Sequence, residues 1–236
     1  MTKTITQFVC QNCGKTSPRA LGRCPGCGSW GTMVEEFVTP PAAAGGKGAP
    51  RGLAGQSRPR RLQEIEGDAE ERLPLRMEEF SRVLGGGIVP GSIVLVGGDP
   101  GIGKSTLMLQ VAVEMAAGRK VLYVSGEESE RQVKMRALRL LRGEDGADGD
   151  MPENLYLVTE TNLETILEHT RALDPDLLVV DSIQTVYLPA IESSAGSVSQ
   201  VRESASRLRE LAKSSGMAVF VIGHVTKEGI IAGPRV

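Results

Sequence analysis

Gly98, Gly103, Lys104 and Ser105, inside the stretch GGDPGIGKST, satisfy the spacing G-x-x-x-x-G-K-[ST]. The chemistry served by this spacing is the grip of a polyphosphate. Glycines let successive backbone N–H groups turn inward at a phosphate, and the start of a following helix adds partial positive charge. A lysine then balances the β- and γ-phosphate charge. The nucleotide-binding candidates are therefore Gly98, Asp99, Pro100, Gly101, Ile102, Gly103, Lys104, Ser105 and Thr106. The Ser105 hydroxyl is the candidate ligand for Mg2+, a hard ion that prefers oxygen.

Hydrolysis of a triphosphate asks for carboxylates as well. Asp181 ends the apolar run of DLLVVDS, the usual form of the acid on the metal side of such a site. Its bland alternative is an acid that only caps a loop. Ser182, next to it, is placed to help orient water. Glu127 and Glu128 follow the run KVLYVSG, and Glu127 is the candidate base that positions the attacking water. Glu128 better suits stabilisation of the N-terminus of the helix ESERQVKMRAL, and the sequence leaves the assignment within the pair open. His224 follows MAVFVIG and is a candidate sensor of the γ-phosphate, whereas His169 in ILEHTRAL reads as a helix-surface residue.

A second constellation lies near the N-terminus. Cys10, Cys13, Cys24 and Cys27 give C-x2-C-x10-C-x2-C, which places two thiolate pairs on two tight turns. Such a set makes a closed tetrahedral S4 site for Zn2+, structural rather than catalytic because no position stays open. An iron centre of rubredoxin type is the second choice, and two disulfides a distant third. Gly14, Gly26 and Gly28 fit the turns.

The elements that must hold these groups follow from hydrophobic patterning. SIVLVGG, KVLYVSG, NLYLVTE, DLLVVDS and MAVFVIG are short apolar runs of strand character. Between them, TLMLQVAVEMAAG, ESERQVKMRALRLLRG, NLETILEHTRAL and SVSQVRESASRLRELAKSSG carry apolar residues at helical spacing. The alternation implies an α/β fold with a mostly parallel sheet, right-handed crossovers and helices on both faces. Three zones are expected: a four-cysteine module over 1–38, a Pro/Gly/Ala-rich linker over 39–61, and a nucleotide-binding core over 62–236. Linker residues Lys47, Arg51, Arg58, Arg60 and Arg61 are as suited to solvent as to phosphate. The acidic GEDGADGD reads as a solvated loop.

Composition narrows the function classes. The formal net charge of −2 supplies no global attraction to nucleic acid, so any such contact must come from local clusters. No apolar run approaches the roughly 18 residues of a membrane span, and no secretory signal is visible, which points to a cytoplasmic protein. Trp30, Tyr123, Tyr156 and Tyr187 are the only Trp or Tyr residues, so DNA contact is expected to rest on phosphates more than on base stacking.

CQNCG…CPGCGSW, LGGGIVPGSIVLVGGDPGIGKSTL, YVSGEES, VVDSIQT, GSVSQVRE and GHVTKEGIIAGPRV together resemble the RadA (Sms) family of bacterial DNA repair proteins. The resemblance spans nearly the whole chain, apart from the linker and the acidic loop. It implies a RecA-type ATPase core behind a zinc finger, using ATP, Mg2+ and Zn2+. It further implies a homo-hexameric, DNA-stimulated, helicase-type motor that acts on single-stranded and branched DNA and drives branch migration with the RecA recombinase. By the same resemblance Lys104, Glu127 and His224 are catalytic, Ser105 and Asp181 stand on the metal, and Lys227, Arg202, Arg235 and the segment PAIESSAGSVSQVRE face DNA. The zinc module is then a contact for recombinase or branched DNA.

The family's Lys-Asn-Arg-Phe-Gly motif and its domain resembling the Lon protease do not follow IAGPRV. A truncated chain is therefore expected, one that binds ATP but hydrolyses it weakly. Two other classes compete: a RecA-fold signalling ATPase similar to KaiC, and a zinc adaptor that uses nucleotide only as a switch.

Overall fold

Cysteine spacing and strand patterning set up two separate sheets. A computed structural model of the chain describes residues 5–10, 14–38, 61–64, 72–142 and 149–224. Cys13, Lys227, Arg235, residues 39–60 with Lys47, Arg51, Arg58 and Arg60, and residues 143–148 of the acidic loop lie outside the described residues.

The first sheet is the cysteine module. β1 (Ile5–Cys10) pairs antiparallel with both β2 (Thr16–Ser17) and β3 (Met33–Val38) in the order β2-β1-β3. Among its described residues the buried apolar side chains are Val9, Cys10 and Cys24.

The core begins with a short helix, α1 (Glu78–Val83), followed by β4 (Ile93–Gly98), α2 (Lys104–Met115), β5 (Val121–Ser125) and α3 (Glu130–Leu141). It continues through β6 (Leu155–Thr159), α4 (Leu163–Leu173), β7 (Leu177–Asp181), α5 (Val198–Ser215) and β8 (Ala218–His224). The strands form one sheet in the order β4-β8-β7-β5-β6, every pair parallel. The α/β expectation is met.

Alternating side chains explain why these runs are apolar throughout. Tyr123, Val179 and Phe220 pack on one face with Met108, Leu109 and Ala112 of α2 and Val133 of α3. Leu122, Leu178, Val180 and Val219 pack on the other with Ile166 of α4 and Leu208 of α5. A parallel sheet covered on both faces has no solvated side to encode. α1, absent from the sequence-based assignment, brings Phe80 edge-on to Phe220 at 6.0 Å between ring centroids.

Capping sets where the helices start. Ser129 and Gln132 form a reciprocal capping box at α3, the Asn162 side chain accepts from Glu164 N at α4, and Ser197 Oγ accepts from Gln200 N at α5. Among the described residues no helix is long and apolar enough to cross a membrane.

The register fixes where chemistry can occur. Gly98 lies opposite His224, and Ser125 opposite Asp181. The carboxyl ends of these strands therefore form one edge, where parallel α/β sheets bind ligands.

Candidate nucleotide site and metal centre

The phosphate loop bridges β4 and α2, as the motif requires. Gly101 and Gly103 have φ of 81° and 98°, in the left-handed region that only glycine enters cheaply. Such turns let consecutive N–H groups face a single point, so the loop fits a phosphate. α2 opens on Lys104 itself, which is buried at 7% exposure. Its ammonium donates to the carbonyl oxygens of Gly98 at 2.9 Å and Asp99 at 2.8 Å, lying along the loop. Ser105 is half-buried, whereas Ile102 and Thr106 are exposed.

Asp181 at the end of β7 is buried at 4% exposure and accepts a hydrogen bond from the Tyr123 hydroxyl at 2.7 Å. Burial, reinforced by the neighbouring Asp181 charge, pushes the Tyr123 phenol far above its ordinary pKa. Tyr123 is thus a fixed neutral donor that orients the carboxylate.

The acid pair after β5 divides. Glu127 Oε1 accepts from Ser182 Oγ at 2.5 Å and lies 3.2 Å from His224 Nε2. Glu128 instead pairs with Arg136 of α3, and its backbone N–H donates to Ser125 Oγ at 3.0 Å. Burial alone would raise the Glu127 pKa. Hydrogen bonds from Ser182 and His224, with the charges of His224 and Lys104, outweigh burial and hold it below the ordinary carboxylate value.

Gly126 makes this approach possible: its N–H donates to Asp181 O at 2.7 Å, and a Cβ there would run into Thr185 Oγ1. His224 is anchored through its own carbonyl oxygen, which accepts from Gln184 Nε2 at 3.1 Å. Nδ1 of His224 and Oε1 of Gln184 are buried without a hydrogen-bond partner among the described residues. Orphaned polar atoms beside a phosphate loop fit a site that receives a polar ligand.

Lys104, Asp181, Glu127 and His224 thus share the carboxyl edge of the sheet. His169 is exposed on α4, away from it. Arg202, a candidate to face DNA, lies against the cysteine module: a Cβ on Gly14 would meet its guanidinium at 2.7 Å. The segment 189–203 is strapped by Gln200, whose amide bonds Leu188, Ile191 and Ser193. Tyr123, Gln184, Thr185, Arg136 and Gln200 escaped the sequence reading. Only Tyr123 carried a signal, since a hydroxyl inside a buried strand demands a partner.

In the cysteine module one hydrogen-bond pattern occurs twice. Cys10 N donates to Lys15 O at 2.9 Å and Gly14 N to Cys10 O at 2.7 Å. Cys24 N likewise donates to Ser29 O at 2.8 Å and Gly28 N to Cys24 O at 2.9 Å. Gly14 and Gly28 take φ of 70° and 74° to close these knuckles. The Sγ atoms of Cys10, Cys24 and Cys27 lie within 4.8 Å of one another, and those of Cys10 and Cys27 are 3.6 Å apart. Four Zn–S bonds of about 2.3 Å set tetrahedral S···S separations of about 3.8 Å, so the donor set fits zinc.

Comparison with known proteins matches a family over each of the two regions. The AAA domain family matches residues 58–229, and the rubredoxin metal binding domain matches residues 8–35. The chain is 49% identical over 236 residues to the DNA repair protein RadA of Streptococcus pyogenes serotype M6, covering 100% of this chain and 49% of that protein. It is 48% identical to the protein of that name from Bacillus subtilis, covering 100% and 50%, and 49% identical to that of Listeria monocytogenes, covering 99% and 49%. The chain spans about half the length of the curated relatives it matches. It belongs to the AAA domain family, carries a metal-binding ribbon ahead of its phosphate-loop domain, and is similar along its whole length to the RadA proteins.

Proposed function

We propose that the chain is the ATP-hydrolysing part of a DNA repair motor. It binds ATP with Mg2+ at the carboxyl edge of the sheet and couples hydrolysis to movement on single-stranded and branched DNA. In this reading it works in the cytoplasm as a homo-hexamer and promotes branch migration with the RecA recombinase. The observation that carries it is the convergence of Lys104, Asp181, Glu127 and His224 from separate elements onto one edge.

Mg2+, when bound, neutralises charge on the β- and γ-phosphate oxygens. The loop from Gly98 to Thr106 holds the phosphates through its backbone N–H groups, and Ser105 with Asp181 is the ligand pair for the metal. Tyr123 keeps the Asp181 carboxylate aimed. Lys104 exchanges its loop carbonyl partners for phosphate oxygens. Glu127, held ionised, accepts a hydrogen bond from the attacking water and fixes its line of approach. His224 bonds Glu127 and ends β8, so a change at the γ-phosphate passes through it to the segment bearing Lys227 and Arg235. That segment and residues 189–203 are the DNA-facing candidates. The ribbon's four cysteines hold Zn2+ as a structural ion.

The test is ATP turnover with and without single-stranded DNA, using this chain and a version extended to the relatives' length. DNA stimulation that disappears in Lys104→Ala supports a motor. Turnover indifferent to DNA in both chains overturns it.

A further inference from the structure

The most exposed aromatic side chain among the described residues belongs to neither site. Trp30, the single tryptophan of the chain, is 75% exposed. A single exposed apolar side chain is ordinary by itself, and what sets Trp30 apart is its setting. Its neighbours hold it in place. Arg23 and Trp30 face each other across an antiparallel bridge, and the Arg23 guanidinium sits 6.0 Å from the ring centroid. Arg23 is itself fixed, because its Nε donates to Gly28 O at 3.0 Å. That carbonyl belongs to the second metal knuckle, so the metal-binding turn preorganises the arginine over the ring.

The electrostatic setting narrows the partner. The module carries Lys3, Lys15, Arg19 and Arg23 against only Glu35 and Glu36, in a chain whose formal net charge is −2. Lys15, Arg19 and Arg23 are exposed. An aromatic face beside a fixed cation, within a locally basic module, suits a polyanion that also offers π-faces. A protein-docking tryptophan would instead sit at the centre of an apolar patch.

We infer that Trp30, with Arg23, is a base-stacking platform for single-stranded nucleic acid on the metal ribbon. This deepens the motor reading and rests on it. Stacking revises the expectation that contact rests on phosphates more than on bases, because exposure, and not the number of aromatics, decides what can stack. One base on an open indole face is worth roughly a 5- to 150-fold change in affinity.

Because Trp30 is the only tryptophan, its fluorescence reports the contact directly. The zinc-loaded chain is titrated with oligothymidylate and with an abasic oligomer of equal length, while anisotropy of the labelled oligomer follows binding. Oligothymidylate should quench Trp30 emission and the abasic oligomer should not. By anisotropy, Trp30→Ala should weaken oligothymidylate binding by the stated factor, and Trp30→Phe should recover most of it. Binding without any change in emission, or equal quenching by the abasic oligomer, overturns the platform and leaves the motor reading standing. Unchanged oligonucleotide affinity in Trp30→Ala, with loss of binding to a recombinase filament, makes the ribbon a protein dock and also overturns it. No binding of either oligomer removes the motor reading together with the platform.

Discussion

The ribbon buries Val9, Cys10 and Cys24, whereas the core buries two continuous apolar layers around a five-stranded sheet. Both regions use left-handed glycines to aim groups at one point: Gly14 and Gly28 in the knuckles, Gly101 and Gly103 in the phosphate loop. What differs is the source of order. A module of this size cannot cover its conformational entropy by apolar burial alone, so its fold depends on its metal. The core folds by burial and is free to keep polar groups at its ligand edge.

Metal removal breaks the comparison most severely. Apparent binding free energies of about 10–16 kcal/mol for structural zinc make the ribbon unfold when chelated. Hydrogen exchange should show amides of β1 and β3 losing protection in Cys24→Ser or in chelator, with β5 and β7 unchanged; a ribbon that stays protected without metal contradicts the account. Phe220→Ala acts on the other region. Phe220 is fully buried against Phe80, and its truncation should cost about 3–5 kcal/mol by chemical denaturation while leaving ribbon protection intact.

Lys104→Ala sharpens the contrast inside the core. Turnover should fall by roughly a hundredfold or more, with a much smaller shift in the denaturation midpoint, because the ammonium serves the phosphate and not the apolar layers. The smallest expected effect belongs to Ser182→Ala. Ser182 helps keep Glu127 ionised, so its loss raises the Glu127 pKa and moves the acid limb of the turnover profile to higher pH. The sign for stability follows. A depressed carboxylate pKa favours the fold above the unfolded-state pKa, and that contribution disappears as pH falls through the folded value. Denaturation across this range in wild type and Ser182→Ala measures it.

The main lines of the fold were legible because β5, β7 and β8 are buried on both faces and so read as unbroken apolar runs, and the half-buried edge strands β4 and β6 still carry enough apolar residues to follow them. α1 was not, since six residues are too few to display a helical period. The phosphate loop and the cysteine spacing were legible because each is a local pattern. The division between Glu127 and Glu128 was not, because it is made by Ser182, His224 and Arg136, which reach the pair from other elements. Arg202 against Gly14 is likewise a contact between distant segments, with no signature near either residue. Exposure of Trp30 and burial of Tyr123 follow from tertiary position, which residue type alone does not encode.

The most direct measurement sets Glu127→Gln beside Glu128→Gln in an ATP turnover assay, with nucleotide affinity measured for both. The geometry predicts that Glu127→Gln loses about a hundredfold or more in turnover while still binding ATP, and that Glu128→Gln, deprived only of its Arg136 partner, keeps most of its activity. Full turnover in Glu127→Gln, or the larger loss in Glu128→Gln, would contradict the assignment of the water-positioning carboxylate and with it the proposed architecture of the site.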